Sequence, residues 1–117
     1  MPDVELVTER ISLARLRELA AGLFGTFVKA VVDVERQVMA VGGELHADEE
    51  AALLDAGSSQ RALWGINLYP DAHDSDGWIE FDSMINVRPR QNNQTRDVED
   101  PDVRGAIIAV VDRLVDA

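Results

Sequence analysis

Apolar positions recur along this chain with two different periods, and the switches between them mark out its elements. Leu13, Leu16, Leu19, Ala20, Leu23 and Phe24 return every three or four residues, the spacing that lines one face of a helix. Ser12 stands where a hydroxyl caps a helix start, and Gly25 stands where a helix stops. Val103, Ile107, Val110, Val111 and Leu114 repeat the pattern near the C-terminus. There Asp100 is placed to be the N-cap, Pro101 the first helical residue, and Asp102 follows in the first turn. A shorter helix is predicted over Ala47 to Ala56, with Asp48, Glu49 and Glu50 at its positive end and Gly57 behind it.

Between the helices the residues are β-branched or alternate. Val4 to Val7, Phe27 to Val34, Val38 to Val41 and Ala62 to Tyr69 read as strands, with Glu35-Arg36-Gln37 as a hairpin turn. Trp78 to Val87 reads as a further strand, ended by Pro89. On it Ile79, Phe81, Ser83, Ile85 and Val87 share one face; Trp78, Glu80, Asp82, Met84 and Asn86 share the other. The order β-α-β-β-α-β-β-α predicts the α+β class. The expected architecture is a single two-layer domain over residues 1–117, with a four- to five-stranded, mostly antiparallel sheet and three helices.

Composition narrows the function classes. A chain of 117 residues that is 46% hydrophobic can bury a core without staples. With no cysteine, disulfides and sulfur-ligated zinc sites are excluded. Met1-Pro2-Asp3-Val4-Glu5 lacks the basic and apolar regions of a signal peptide, and no apolar run is long enough for a bilayer, so a cytoplasmic protein without a membrane partner is expected. The net charge of −11 disfavours nucleic acid and anionic membranes as whole-surface partners.

Against that charge, Asn86 to Arg96 holds three arginines, and no acid occurs between Asp82 and Asp97. Arg88, Arg90, Asn92, Asn93 and Arg96, with Asn86 and Asn67 nearby, offer donors for acceptor atoms: an anion or a run of backbone carbonyls. The plainer alternative is a structural loop whose arginines pair with Asp82, Asp97 or Glu99 while its amides cap turns. A second cluster, Glu44-x-His46-x-Asp48, puts two carboxylates and an imidazole on one side of an extended segment. That set suits a divalent metal or a carboxylate-oriented general base; the alternative is a helix start with acids complementing its dipole. A third is the mixed face carrying Glu80, Asp82 and Asn86, set against an ordinary solvated sheet face. His73 in the acidic Asp71–Asp76 loop lacks the spacing of a calcium site.

Three stretches have a distinctive pattern: Met39-Ala40-Val41-Gly42-Gly43-Glu44-Leu45-His46-Ala47-Asp48-Glu49-Glu50, Leu63-Trp64-Gly65-Ile66-Asn67-Leu68-Tyr69-Pro70 and Ile79 to Pro89. From Ile11 to Leu114 the chain resembles a family of small bacterial proteins of unknown function. The resemblance implies a stand-alone domain and brings no cofactor or catalytic residue.

Two functions follow from the residues. The first is a non-catalytic binding module that grips a small anionic ligand or a protein partner through the Arg/Asn loop, with a homodimer through the last helix as a further option. The alternative is a small metal-assisted hydrolase with His46 and Asp82 as catalytic groups, Glu44, His46 and Asp48 as metal candidates, and Arg88 and Arg90 holding the substrate. Convergence of His46, Asp82 and the Arg loop in one concavity would favour the enzyme. An isolated or helix-capping His46 would favour the binding module.

Overall fold

The computed structural model describes residues 4–117, so the reading of Met1–Asp3 lies outside the described residues. The elements are β1 (Glu5–Val7), β2 (Ile11–Ser12), α1 (Leu13–Gly22), β3 (Val28–Asp33), β4 (Val38–Val41), α2 (His46–Asp55), β5 (Leu63–Leu68), β6 (Ile79–Glu80), α3 (Pro101–Leu114) and β7 (Val115–Asp116). Short 3-10 turns cover Gln60–Ala62, Pro70–Ala72, Met84–Asn86 and Pro89–Gln91. The expected caps are in place. Ser12 accepts from the Arg15 amide at 3.0 Å, and Asp100 accepts from the Asp102 amide at 2.8 Å. Helix α1 ends earlier than its apolar spacing suggests. It stops at Gly22, leaving Leu23 and Phe24 exposed, and Gly25 (φ 91°) returns its N–H to the Ala20 carbonyl.

The main sheet has the order β1-β4-β3-β5-β6 with every neighbouring pair antiparallel. β2 and β7 form a small parallel pair beside it. Alternation sorts the side chains between the two faces. Val28, Ala30 and Val32, with Met39, Val41, Trp64, Ile66 and Leu68, meet Leu16 and Ala20 of α1 and Ile107, Val110, Val111 and Leu114 of α3. On the opposite face Val31, Ala40 and Leu63 meet Leu53 of α2. The α+β class, the antiparallel sheet and the three helices are as the sequence predicts. The helices divide between the faces, so α2 adds a partial cover beyond the layer made by α1 and α3. Among the described residues no helix is long and apolar enough to cross a membrane.

The expected strand from Trp78 to Val87 is the main correction. Only Ile79–Glu80 pairs with β5, through Leu68↔Ile79 and Asn67↔Glu80. Beyond Asp82 the chain turns across β5 and the ladder is completed by a side chain. The Asn86 carboxamide accepts from the Gly65 N–H at 2.8 Å and donates to the Gly65 carbonyl at 2.9 Å. One amide thereby replaces a strand residue and leaves neither group of Gly65 unpaired. The crossing is so close that a Cβ on Gly65 would lie 2.5 Å from Ser83 Cβ. Trp78 leaves the mixed face altogether and is buried in the α1–α3 core, its ring edge-on to His73 at 4.9 Å.

Two glycines should therefore respond in opposite directions to alanine. Gly65→Ala forces Ser83 away and is expected to cost about 1–3 kcal/mol as overpacking. Gly105 lies within α3 with nothing within 4 Å of an added Cβ, so Gly105→Ala should gain about 1 kcal/mol from helix propensity. Urea unfolding of both variants checks the pair, and equal signs would contradict the packing described.

Candidate functional site

The face of the sheet that carries α2 is only partly covered, and its register aligns three polar residues in a row. Lys29 on β3 is the cross-strand partner of Asn67 on β5, and Asn67 is the partner of Glu80 on β6. Directly opposed residues on one face lie about 5 Å apart at Cβ, so the three side chains are neighbours. The Asn67 Nδ2 donates to Glu80 Oε1 at 2.8 Å and to the Asp82 carbonyl at 3.4 Å, which fixes the orientation of the amide. Tyr69 adds a bond from its hydroxyl to Glu80 Oε1 at 3.2 Å. The other end of the Asn67 amide, Oδ1, is buried and has no hydrogen-bond partner. Such an orphan acceptor costs about 1–3 kcal/mol until something donates to it.

Helix α2 begins over one end of this row. Its N-cap, Leu45, has an apolar side chain, so no side chain caps the helix, although Asp48 and Glu49 in the first turn complement its dipole. His46, the first helical residue, is 9% exposed and its Nε2 lies 2.8 Å from the Ile66 carbonyl. A carbonyl can only accept, so Nε2 carries the proton and Nδ1 keeps its lone pair. Burial pushes the pKa of His46 down, and the charges of Lys29 and Arg96 add to the effect; the Ile66 bond and Asp82 oppose it. The ring is neutral at neutral pH. Between α2, the sheet and the segment 82–85 lies a cavity of about 390 Å³, with Lys29, His46, Asn67, Glu80, Asp82 and Arg96 among its walls and Phe27, Leu45 and Met84 among its apolar lining. Leu45 and Met84 are 56% and 66% exposed, the largest values among the described exposed apolar side chains.

The Arg/Asn segment divides into a structural part and a part at the cavity. Asn86 completes the β5 ladder and also donates to the Arg96 carbonyl at 3.0 Å. Asn93 donates from Nδ2 to the carbonyls of Asn86 and Asp97, both at 2.7 Å, and accepts from the Glu99 amide at 2.8 Å. Arg88 donates to the carbonyls of Gln60 (2.9 Å) and Leu63 and stacks over the Trp64 ring at 4.1 Å. The acceptors met by Asn86, Asn93 and Arg88 are thus carbonyls of the chain itself. Arg90 and Asn92 are exposed on the Pro89–Gln91 turn, Asn92 in the left-handed conformation that closes it. Arg96 alone of the three arginines lines the cavity, paired with Asp82 at 2.6 Å.

His46, Asp82 and Arg96 therefore share one concavity, as does Asn67. Glu44 and Asp48 are not in that wall: Glu44 is exposed and Asp48 half-buried. Among the described residues no three of His, Asp or Glu assemble into a group able to hold a metal, in the Glu44–Asp48 segment or in the Asp71–Asp76 loop. Lys29 is not among the candidate residues of the sequence, though a signal is present. It is the chain's only lysine, set within the run Val28-Lys29-Ala30-Val31-Val32. Among the described residues no carboxylate lies within ion-pair distance of it, and its Nζ rests 5.1 Å from the centre of the Phe24 ring. Phe24 in turn stacks on Phe27 at 4.8 Å.

Residues 5–114 match the model of a family described as Protein of unknown function (DUF5674), and the chain belongs to that family. No curated protein and no solved structure matches it.

Beside the site, Glu49 of α2 is fully buried, with Oε2 accepting from the Gly43 amide at 2.9 Å and Oε1 unpartnered. Burial pushes its carboxyl well above the usual carboxylate range. An acid raised in this way stabilises the fold most below its unfolded pKa, near 4.5, and loses that contribution as the pH climbs towards the folded value. His46, lowered from 6.5, acts in the other direction and costs stability as the pH falls below that value. Glu49→Gln keeps the shape of the protonated acid without its titration. Urea unfolding should show this variant more stable than the parent at pH 8, with the difference shrinking towards pH 4. A constant difference across that range would contradict a neutral Glu49.

Proposed function

We propose that this member of the DUF5674 family is a ligand-binding domain whose site is the cavity at the start of α2. The ligand is a small molecule with an anionic group, met by Lys29 and Arg96. One observation carries this reading: the chain's single lysine, without a carboxylate partner among the described residues, lines the same cavity as an uncapped helix start. In a protein with 22 acids and 11 bases, a cation left without an ion pair beside first-turn amides favours an added anion. The cavity volume falls near the lower end of the roughly 300–1,000 Å³ of small-molecule sites. The exposed Leu45 and Met84 would cover the ligand's carbon skeleton. Within the Arg/Asn segment, Arg96 touches the ligand while Asn86, Arg88 and Asn93 hold the wall that carries it.

A second reading draws on the convergence of His46, Asp82 and Arg96 in one cavity, the arrangement that favours an enzyme. Of the loop's arginines only Arg96 takes part, Arg88 and Arg90 lying outside it. The proton of His46 is fixed on Nε2 by the Ile66 carbonyl, and its Nδ1 is a free base at neutral pH. A base with those properties suits proton abstraction from a bound substrate or from water. This keeps the hydrolase alternative without assigning it a metal.

Thermal-shift and calorimetric titrations with small carboxylates and phosphates test the binding reading. A ligand at about 100 times its dissociation constant should add about 2.7 kcal/mol. In a domain near this size that amounts to a rise of roughly 10 °C. Lys29→Met should abolish the rise. Binding by no anion, or undiminished binding in Lys29→Met, would overturn the reading. For the catalytic reading, turnover of ester or phosphoester substrates should disappear in His46→Gln while anion binding persists; turnover unchanged in that variant excludes His46 as the base.

A further inference from the structure

The row of cross-strand partners across β3, β5 and β6 runs from a cation through an amide to an anion: Lys29, Asn67, Glu80. The two outer strands are separated by two strand spacings, about 10 Å between backbones, and both charged side chains are long enough to reach a ligand lying over Asn67. The acceptor end of the row is incomplete in the same way as the cation end. Asn67 is 7% exposed and lines the cavity with its Oδ1 unpartnered. Its amide cannot turn to present a donor instead, because Nδ2 is held by Glu80 and the Asp82 carbonyl. Glu80 takes both of its hydrogen bonds, from Asn67 and Tyr69, on Oε1. Oε2 receives no hydrogen bond among the described residues and remains able to accept one.

A simple anion satisfies only half of this wall. It would answer Lys29 and leave the acceptors Asn67 Oδ1 and Glu80 Oε2 without a donor. A dication fails in the opposite sense at Lys29. We infer that the ligand is a small zwitterion, an amino acid or a close amino-acid analogue. Its carboxylate lies at Lys29 and Arg96 beside the start of α2, and its ammonium at Glu80 Oε2, next to the buried, unpartnered Asn67 Oδ1. The inference rests on the anion site proposed above and adds the second pole to it. Ligand donors and protein acceptors then match across the whole row, and the apolar side chain of the ligand faces Leu45 and Met84.

Matched compounds separate the two ideas. The probes are the twenty common amino acids and, for each that binds, its deaminated carboxylic acid and its decarboxylated amine, titrated by calorimetry. An amino acid should bind at least about tenfold more tightly than either counterpart, the factor given by about 1.4 kcal/mol from one added charged hydrogen bond. Glu80→Gln keeps an oxygen acceptor for Asn67 and Tyr69 and removes the charge. It should lower affinity for the amino acid about tenfold and leave affinity for the deaminated acid undiminished. A thermal midpoint of the free variant equal to that of the parent shows that the row itself is intact; if the midpoint falls, the parent protein's preference among the three matched compounds still decides the inference. A deaminated acid that binds as tightly as its amino acid overturns the zwitterion and leaves the anion site standing. Binding by none of the amino acids overturns the zwitterion, and the carboxylate and phosphate titrations above then decide the anion site.

Discussion

The pairing of the Asn86 carboxamide with the backbone of Gly65 is the contact on which the arrangement of this protein turns. An antiparallel strand presents N–H and C=O groups alternately to its two sides, and those facing β6 must be answered after β6 ends at Glu80. Side chains do this in sequence along β5. Asn86 takes both groups of Gly65, and Arg88 takes the Leu63 carbonyl. Asn93 then holds the Asn86 carbonyl and closes the loop on Asp97. Gly65 has to lack a side chain for Ser83 to pass so close. The same backbone path brings Asp82 and Arg96 to the cavity wall, so the frame of the site and the closure of the sheet have one origin.

The electrostatics follow from that frame. The surface is strongly acidic, and most arginines find a carboxylate or a carbonyl within the chain, such as Arg104 with Asp97 and Arg36 with the Ala56 carbonyl. Lys29 is different because its cross-strand neighbour on β5 is an amide and its ammonium rests against an aromatic ring. Cation–π contact of this kind contributes about 0.5–1 kcal/mol at an exposed position and leaves the positive charge in place. Burial keeps His46 uncharged next to it, so the positive charge of the cavity comes from Lys29, the helix end and the Asp82-paired Arg96.

The sequence was readable wherever a local period decides the structure. The stripe that begins at Leu13, the stripe ending at Leu114, the caps Ser12 and Asp100, and the hairpin around Gln37 all depend on residues within a few positions of one another. The last members of the first stripe, Leu23 and Phe24, nonetheless fall beyond the helix. The segment after Ile79 was misread because its alternation is genuine but the competing partner is distant: Gly65 precedes Asn86 by 21 positions, and nothing local announces an amide acting as strand. The donor-rich character of Asn86 to Arg96 was visible, yet whether donors meet a ligand or the chain's own carbonyls depends on Gln60, Leu63 and Gly65. His46 and Asp82 were legible as chemistry. Their meeting was not, since it requires the register that sets β3, β5 and β6 side by side. Lys29 is masked by its surroundings, where Val28, Val31 and Val32 give the run a plain strand pattern that a single charged residue does not alter.

A sole lysine also changes how the molecule can be interrogated. Side-chain amines are usually scattered over a protein surface, and reagents that acylate or alkylate them report an average. Here the only one stands half-buried in the wall of the cavity. Apart from the chain's own α-amino group, amine-directed chemistry has a single address. The rate of its modification is therefore a direct gauge of whether that cavity is open or filled, without any label having to be introduced.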